Sequence, residues 1–129
     1  MSDPARALSQ VLGRGSAHEG AHHWRVQRLT ALALLLLTPW FVISLALLPR
    51  LDFVTLHEWA GGLVQATLLA LLLVSACWHS QLGVQVVIED YVHTRWMEIT
   101  LQLLVTFACT IGALASLYAI ARIALTAAY

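Results

Sequence analysis

Lysine is absent from this 129-residue sequence, and charged residues of all kinds make up only 11% of it. Arginines and acidic residues number seven each, so the formal net charge is zero and no basic surface suggests nucleic-acid binding. Apolar residues make up 60% of the chain, and its mean hydropathy is +0.77. This composition is too apolar for an ordinary soluble domain and indicates a membrane protein.

Cysteine is also scarce. Cys77 and Cys109 both lie within apolar runs and form no CxxC motif, which favours a role as small packing residues. No apolar run precedes Arg28, and the run after it is too long for a signal-peptide core, so we expect no secretory cleavage. Mitochondrial presequences are poor in acidic residues, whereas this N-terminus contains Asp3 and Glu19. We therefore predict the bacterial inner membrane rather than the mitochondrial inner membrane.

Residues 1–28 are predicted to form a cytoplasmic arm that is mostly extended as far as Val26, because this segment is polar, contains several glycines and lacks a periodic apolar pattern. The arm contains His18, His22 and His23, but their spacing matches no standard zinc pattern. We therefore assign no metal site to these histidines.

Long uncharged segments predict an all-α membrane protein, since about 20 helical residues cross the hydrocarbon layer of about 30 Å. Pro39 predicts a kink in the first segment. Charged and aromatic residues between Glu89 and Glu98 predict a loop at the membrane surface. Residues 29–129 are thus predicted to form one domain with three transmembrane helices, at about 29–48, 60–88 and 99–121.

The distribution of arginine predicts the orientation of these helices. Four arginines lie in the arm, and Arg50, Arg95 and Arg122 occur singly in the later connections and tail. Placing the arm and Arg95 inside puts five positive charges inside and two outside. The positive-inside rule then predicts a cytoplasmic N-terminus and a periplasmic C-terminus.

His79 is the only histidine well inside a predicted span. Such residues usually face the interior of a helix bundle, where this one is either a ligand or a neutral ring hydrogen-bonded across helices. Gly83 follows on the same helical face and would leave a gap beside the imidazole that a flat macrocycle can occupy. Asp90 and Tyr91 stand where the uncharged run ends, and by position alone they are a solvated acid and an interfacial aromatic.

The pattern His79-x3-Gly83 followed by Asp90-Tyr91 resembles the D-type hydrophobic membrane anchors of succinate dehydrogenase, respiratory complex II. The resemblance implies that His79 is an axial ligand of the iron of haem b, and that a partner anchor of the C type supplies the second histidine. It also implies that Tyr91 donates a hydrogen bond to ubiquinone, while Asp90 organises this site or relays protons.

The same resemblance implies a partner for a haem propionate at the cytoplasmic end of the first span. Arg28 is the main candidate and His22 a weaker one, although a positive-inside flank explains Arg28 equally well. The implied protein partners are a flavoprotein subunit, an iron–sulfur subunit and a second hydrophobic anchor of the cytochrome b556 type, acting in electron transport and the tricarboxylic acid cycle. The chain is expected to have no succinate active site of its own, because it lacks the nucleotide-binding glycine motif and the cysteine sets of iron–sulfur clusters.

The C-type anchors resemble this chain less. Their His-x3-Gly continues with Arg-His, where this chain has Gln85-Val86, and their His-Arg-x-Thr-Gly motif stands where residues 27–31 read Gln-Arg-Leu-Thr-Ala. Two other functions stay open. A di-haem cytochrome of the b561 kind would need paired histidines within one chain, and a haem-free structural or transport subunit would use His79 only for helix contacts.

Overall fold

The computed structural model describes the backbone of residues 17–127 and the side chains of residues 24–126. This region consists of four helices: α1 (Ala17–Ala46), α2 (Phe53–Gly61), α3 (Leu63–Tyr91) and α4 (Arg95–Ala127). Three of these helices contain a segment that is long and apolar enough to cross a membrane, namely Trp24–Ala46, Leu63–Tyr91 and Arg95–Thr126. The prediction of an all-α protein with three spans is confirmed.

The first helix begins earlier than the sequence predicted. The arm was predicted to be mostly extended up to Val26, and this is wrong for residues 17–26, which form the first turns of α1. Extending an existing helix avoids the unfavourable nucleation step, so polar residues can continue the apolar span. Residues 1–16 lie outside the described part of the chain. The helix continues through Pro39, and the kink predicted there stays a prediction.

A short helix and a break precede the second span. The predicted span began at residue 60, but Gly62 has extended backbone angles (φ −60°, ψ 136°) and separates α2 from α3. Its N–H donates to the Trp59 carbonyl at 3.3 Å, and its carbonyl accepts from the Ala66 N–H at 2.8 Å. Gly62 therefore ends one helix and begins the next.

The predicted surface loop from Glu89 to Glu98 is wrong in extent, because only residues 92–94 lie between α3 and α4. The Val92 N–H donates to the Ile88 carbonyl at 2.9 Å, which closes the last turn of α3. Hydropathy reports where the hydrocarbon ends, whereas the hydrogen bonds of a helix can continue into the headgroup region. Asp90 and Tyr91 are consequently helical residues.

The third helix, α3, is the centre of the fold. It packs against both α1 and α4, whereas within the described part of the chain no Cα atoms of α1 and α4 lie within 8 Å of each other. The buried apolar side chains are few: Leu37, Ala66, Leu82 and Ile88. Large apolar residues of α4 such as Phe107 and Ile111 are each 63% exposed. Lipid or another protein chain must cover this surface in the membrane.

Asp52 caps the short helix α2. Its carboxylate accepts a hydrogen bond from the Thr55 N–H at 2.9 Å. Hydrogen bonds from the side chain and backbone of Thr55 lower the pKa of Asp52. Because folding lowers this pKa, the cap is complete above the ordinary aspartate pKa and is lost as the pH falls through the lowered value.

We predict that Asp52→Ala frays α2, since the Thr55 N–H loses its acceptor. Hydrogen–deuterium exchange of peptides covering residues 53–61 should be faster in this variant at neutral pH. Asp52→Asn is the matched control, because asparagine caps helices about as well as aspartate. Equal exchange in the wild type and Asp52→Ala would contradict the capping role.

Candidate functional site

His79 lies in α3 and faces α1. Its Nδ1 is 3.1 Å from the hydroxyl oxygen of Thr30, a residue 49 positions earlier in the chain. Thr30 is only 7% exposed, and Ser75, one turn before His79 on the same face of α3, is 6% exposed. The imidazole is therefore held on one side by a polar contact between two membrane helices.

The neighbours of the Thr30 hydroxyl indicate which nitrogen of His79 carries the hydrogen. Its oxygen is 3.0 Å from the backbone carbonyl of Val26 and 3.0 Å from that of Gln27. Both carbonyls only accept, so the single hydroxyl hydrogen is directed toward them. If it pointed at His79 instead, the hydroxyl oxygen would face two carbonyl oxygens without a hydrogen between them. We infer that Nδ1–H of His79 donates to Thr30.

This tautomer leaves Nε2 of His79 as an acceptor with a lone pair. No residue in the described part of the chain is hydrogen-bonded to Nε2. Gly83, four residues further along α3, borders open space, since a Cβ built on it meets nothing within 4 Å. A free Nε2 on His79 and an unobstructed helix surface at Gly83 fit a flat ligand that carries a metal ion.

Arg28 lies on α1 two residues before Thr30, about 3 Å along the helix axis. Its guanidinium carbon stacks 4.5 Å above the ring of Trp24, a distance typical of a cation–π contact. Among the described residues no carboxylate pairs with it. The Arg28 guanidinium is thus oriented by Trp24, and it is available to bind an anion near this end of the transmembrane part of α1. The side chain of His22, the weaker candidate, lies outside the described residues.

Asp90 and Tyr91 do not join His79. Asp90 lies about 16 Å beyond His79 along the axis of α3, and both residues are exposed in its last turn, Tyr91 by 78%. Within the described part of the chain, no hydrogen bond holds the Tyr91 hydroxyl, whereas the Tyr91 carbonyl contacts Nδ1 of His93 at 3.2 Å. The structure therefore places a phenol and a carboxylate together at one end of the bundle.

Sequence reasoning missed a row of polar side chains between α3 and α4. Gln81 donates to the Thr106 hydroxyl at 3.2 Å, and the Glu89 carboxylate accepts from Gln85 at 3.0 Å and from Gln102 at 3.4 Å. The four partners other than Glu89 line a groove of about 300 Å³. Their i, i+4 spacing on each helix was the available signal. Sequence reasoning also missed Thr30, because its contact with His79 depends on how α1 and α3 are aligned.

Comparison with known proteins gives a family for the chain. Residues 2–113 match the family model described as "Succinate dehydrogenase/Fumarate reductase transmembrane subunit". Three similar proteins carry the name "Succinate dehydrogenase hydrophobic membrane anchor subunit". The one from Paracoccus denitrificans is 34% identical over 89% of this chain and 88% of its own length.

The other two similar proteins come from Rickettsia species. The protein of Rickettsia conorii is 30% identical over 82% of this chain and 85% of its own length. The protein of Rickettsia bellii is 34% identical over 67% of this chain and 70% of its own length. All three similarities therefore cover at least two thirds of both chains.

Proposed function

The chain belongs to the family of succinate dehydrogenase/fumarate reductase transmembrane subunits, and from this premise we propose that it shares one haem b with a second anchor subunit and forms part of a ubiquinone-reduction site. It is a hydrophobic membrane anchor subunit of succinate dehydrogenase with three apolar helices. Its proposed partners are the flavoprotein subunit, the iron–sulfur subunit and a second hydrophobic anchor of the cytochrome b556 type. Its proposed location is the bacterial inner membrane, with the N-terminus in the cytoplasm.

The haem proposal rests on the tautomer of His79. Donation from Nδ1–H to Thr30 leaves Nε2 as the nitrogen that can bind iron. The open space beside Gly83 leaves room for the face of a macrocycle. When bound, haem b supplies one-electron transfer at its iron. In this arrangement His79 of α3 would be one of the residues that hold the haem, and a histidine of the partner anchor would be the other.

Arg28 is suited to the propionate side of the haem. The later part of α1 lies near the start of α3, because Trp40 stacks on Trp59, so the two helices run in opposite directions past the Thr30–His79 contact. Arg28 is therefore displaced from that contact toward the end of α3 that carries Tyr91. The stack on Trp24 orients its guanidinium, which can bind a carboxylate through two parallel hydrogen bonds. His22 remains the weaker candidate for the same role.

Tyr91 and Asp90 support the quinone part of the proposal. The exposed Tyr91 hydroxyl can donate a hydrogen bond to a quinone carbonyl and stabilise the negative charge that develops on its oxygen during reduction. Asp90 can take up or deliver protons beside it, or orient the site. Both residues end the helix that carries His79, so one rigid element would fix the distance between haem and quinone.

The Thr30 contact also supports a second candidate function. A histidine hydrogen-bonded across two helices is already a satisfied polar residue, and it can serve simply to join α1 to α3. In that case the chain is a haem-free anchor that binds the same partner subunits. The haem content of the intact complex separates the two candidates.

We predict that His79→Ala removes the low-spin b-type signal from the reduced-minus-oxidised spectrum of the purified complex. The loss should exceed the roughly 10–100-fold effect typical of changes next to a metal ligand. His57→Ala is the matched control, because His57 also contacts a threonine across helices, Thr126 at 3.4 Å, but lies in α2. An unchanged bis-histidine spectrum in His79→Ala would exclude His79 as a ligand.

We predict that Gly83→Leu strongly lowers the haem-to-flavin ratio, because the added side chain fills the space proposed for the macrocycle. Gly112→Leu is the control, since a Cβ at Gly112 of α4 also meets nothing within 4 Å. Both substitutions raise the intrinsic helix propensity, by less than about 1 kcal/mol. Equal haem content in the two variants would argue against haem beside Gly83.

We predict that Tyr91→Phe lowers succinate-driven ubiquinone reduction about 5–10-fold, as expected for the loss of one hydrogen bond of about 1–1.4 kcal/mol. Succinate oxidation with an artificial electron acceptor should be unchanged, because it does not need the quinone site. Tyr118→Phe, at a tyrosine that is 67% exposed on α4, should leave both activities intact. An equal loss of both activities in Tyr91→Phe would contradict the quinone assignment.

A further inference from the structure

We propose that Thr30 is a positioning residue for His79, which holds the imidazole as the Nδ1–H tautomer and thereby sets the retention and the reduction potential of the bound haem. This inference rests on the proposed haem function and adds to it a residue of α1. Its basis is the hydrogen-bonded chain from the α1 backbone through the Thr30 hydroxyl to Nδ1 of His79.

The first step concerns the tautomer. The two α1 carbonyls at 3.0 Å occupy the hydroxyl hydrogen, and the lone pairs of the Thr30 oxygen then face the imidazole. A neutral imidazole has one N–H, so donation to this oxygen keeps the hydrogen off Nε2. Without the hydroxyl, the hydrogen could reside on either nitrogen, and the form with Nε2–H cannot bind iron through Nε2.

The second step concerns the orientation of the ring. Thr30 is 7% exposed, and its hydroxyl is fixed by its own helix. A contact of 3.1 Å to Nδ1 therefore restricts the orientation of the imidazole relative to α1. The opposite nitrogen then points away from α1, in a direction set by two helices rather than by the His79 side chain alone.

The third step concerns electron density. A metal-bound imidazole whose N–H donates a hydrogen bond is a more basic ligand than one whose N–H has no acceptor. A more basic ligand favours the ferric over the ferrous state and so lowers the reduction potential. Removing the acceptor should therefore raise the potential and weaken haem binding, while His79 would still be the residue that holds the haem.

The experiment compares Thr30→Val, Thr30→Ser and wild type in the intact purified complex. Thr30→Val keeps the side-chain shape and removes the acceptor, so haem retention should fall about 10–100-fold and the midpoint potential should rise. A tenfold shift of the ferric-to-ferrous balance corresponds to about 59 mV for one electron. Thr30→Ser should restore wild-type values, because it keeps the hydroxyl.

Thr67→Val is the matched control. The Thr67 hydroxyl also donates to a backbone carbonyl of its own helix, that of Leu63 at 2.7 Å, but has no described contact with a histidine. Its potential, its haem content and the ferric low-spin electron paramagnetic resonance signal should match those of the wild type. A loss of helix packing alone would not shift the potential while leaving a bis-histidine signal in place.

The outcomes separate this inference from the function on which it rests. A wild-type complex with all partners but no haem would overturn both. A wild-type complex with haem, lost in His79→Ala but unchanged in potential in Thr30→Val, would overturn only the role of Thr30. If Thr30→Val fails to assemble, Thr30→Cys carries the test, since sulfur is a weak acceptor. Its potential should lie above that of Thr30→Ser, and an equal value would overturn the inference.

Discussion

The central position of α3 is the constraint on which the rest of the structure depends. It contacts both other long helices, whose backbones do not approach each other within 8 Å in the described part of the chain. The buried apolar core is correspondingly small, and the outer faces of α1 and α4 are apolar and exposed. Such a chain is completed by lipid and by other subunits, since a membrane helix gains its specific contacts from close packing and polar groups rather than from leaving water. His79, the proposed haem ligand, thus lies on the helix that packs against both of the other long helices.

Two faces of α3 carry different polar groups. With about 100° of rotation per residue, Gly83 and Asp90 lie within about 40° of His79, whereas Gln81 lies about 200° away. The contacts follow this division, because His79 meets Thr30 of α1 and Gln81 meets Thr106 of α4. The groove lined by glutamines between α3 and α4 is therefore separate from the proposed haem side. A ligand bound at Nε2 of His79 and lying over Gly83 would therefore lie outside this groove.

The sequence predicted the three spans because uncharged runs of sufficient length have few alternatives in a bilayer. It predicted the helix ends poorly for the same reason. Hydropathy marks the hydrocarbon layer, whereas α1 already begins at Ala17 and α4 at Arg95. The sequence also predicted that His79 and Gly83 lie on one face of the helix, because their spacing of four residues determines this locally. The contact between His79 and Thr30 was out of reach, since it depends on the relative alignment of two helices joined by Gly62 and the short helix α2.

As a structural residue His79 would form a hydrogen bond through Nδ1, whereas as a ligand it would bind through Nε2. The two interpretations therefore do not exclude each other. Thr30 is hydrogen-bonded to Nδ1, so one of the two ring nitrogens of an imidazole placed in hydrocarbon has a partner. Nε2 keeps a lone pair, and an acceptor without a partner in an apolar medium costs about 1–3 kcal/mol. In the proposed function, coordination of the haem iron would remove this cost and would use the nitrogen that donation to Thr30 keeps free of hydrogen. The hydrogen bond that would make His79 a structural residue is thus also the one that would prepare it as the proposed ligand.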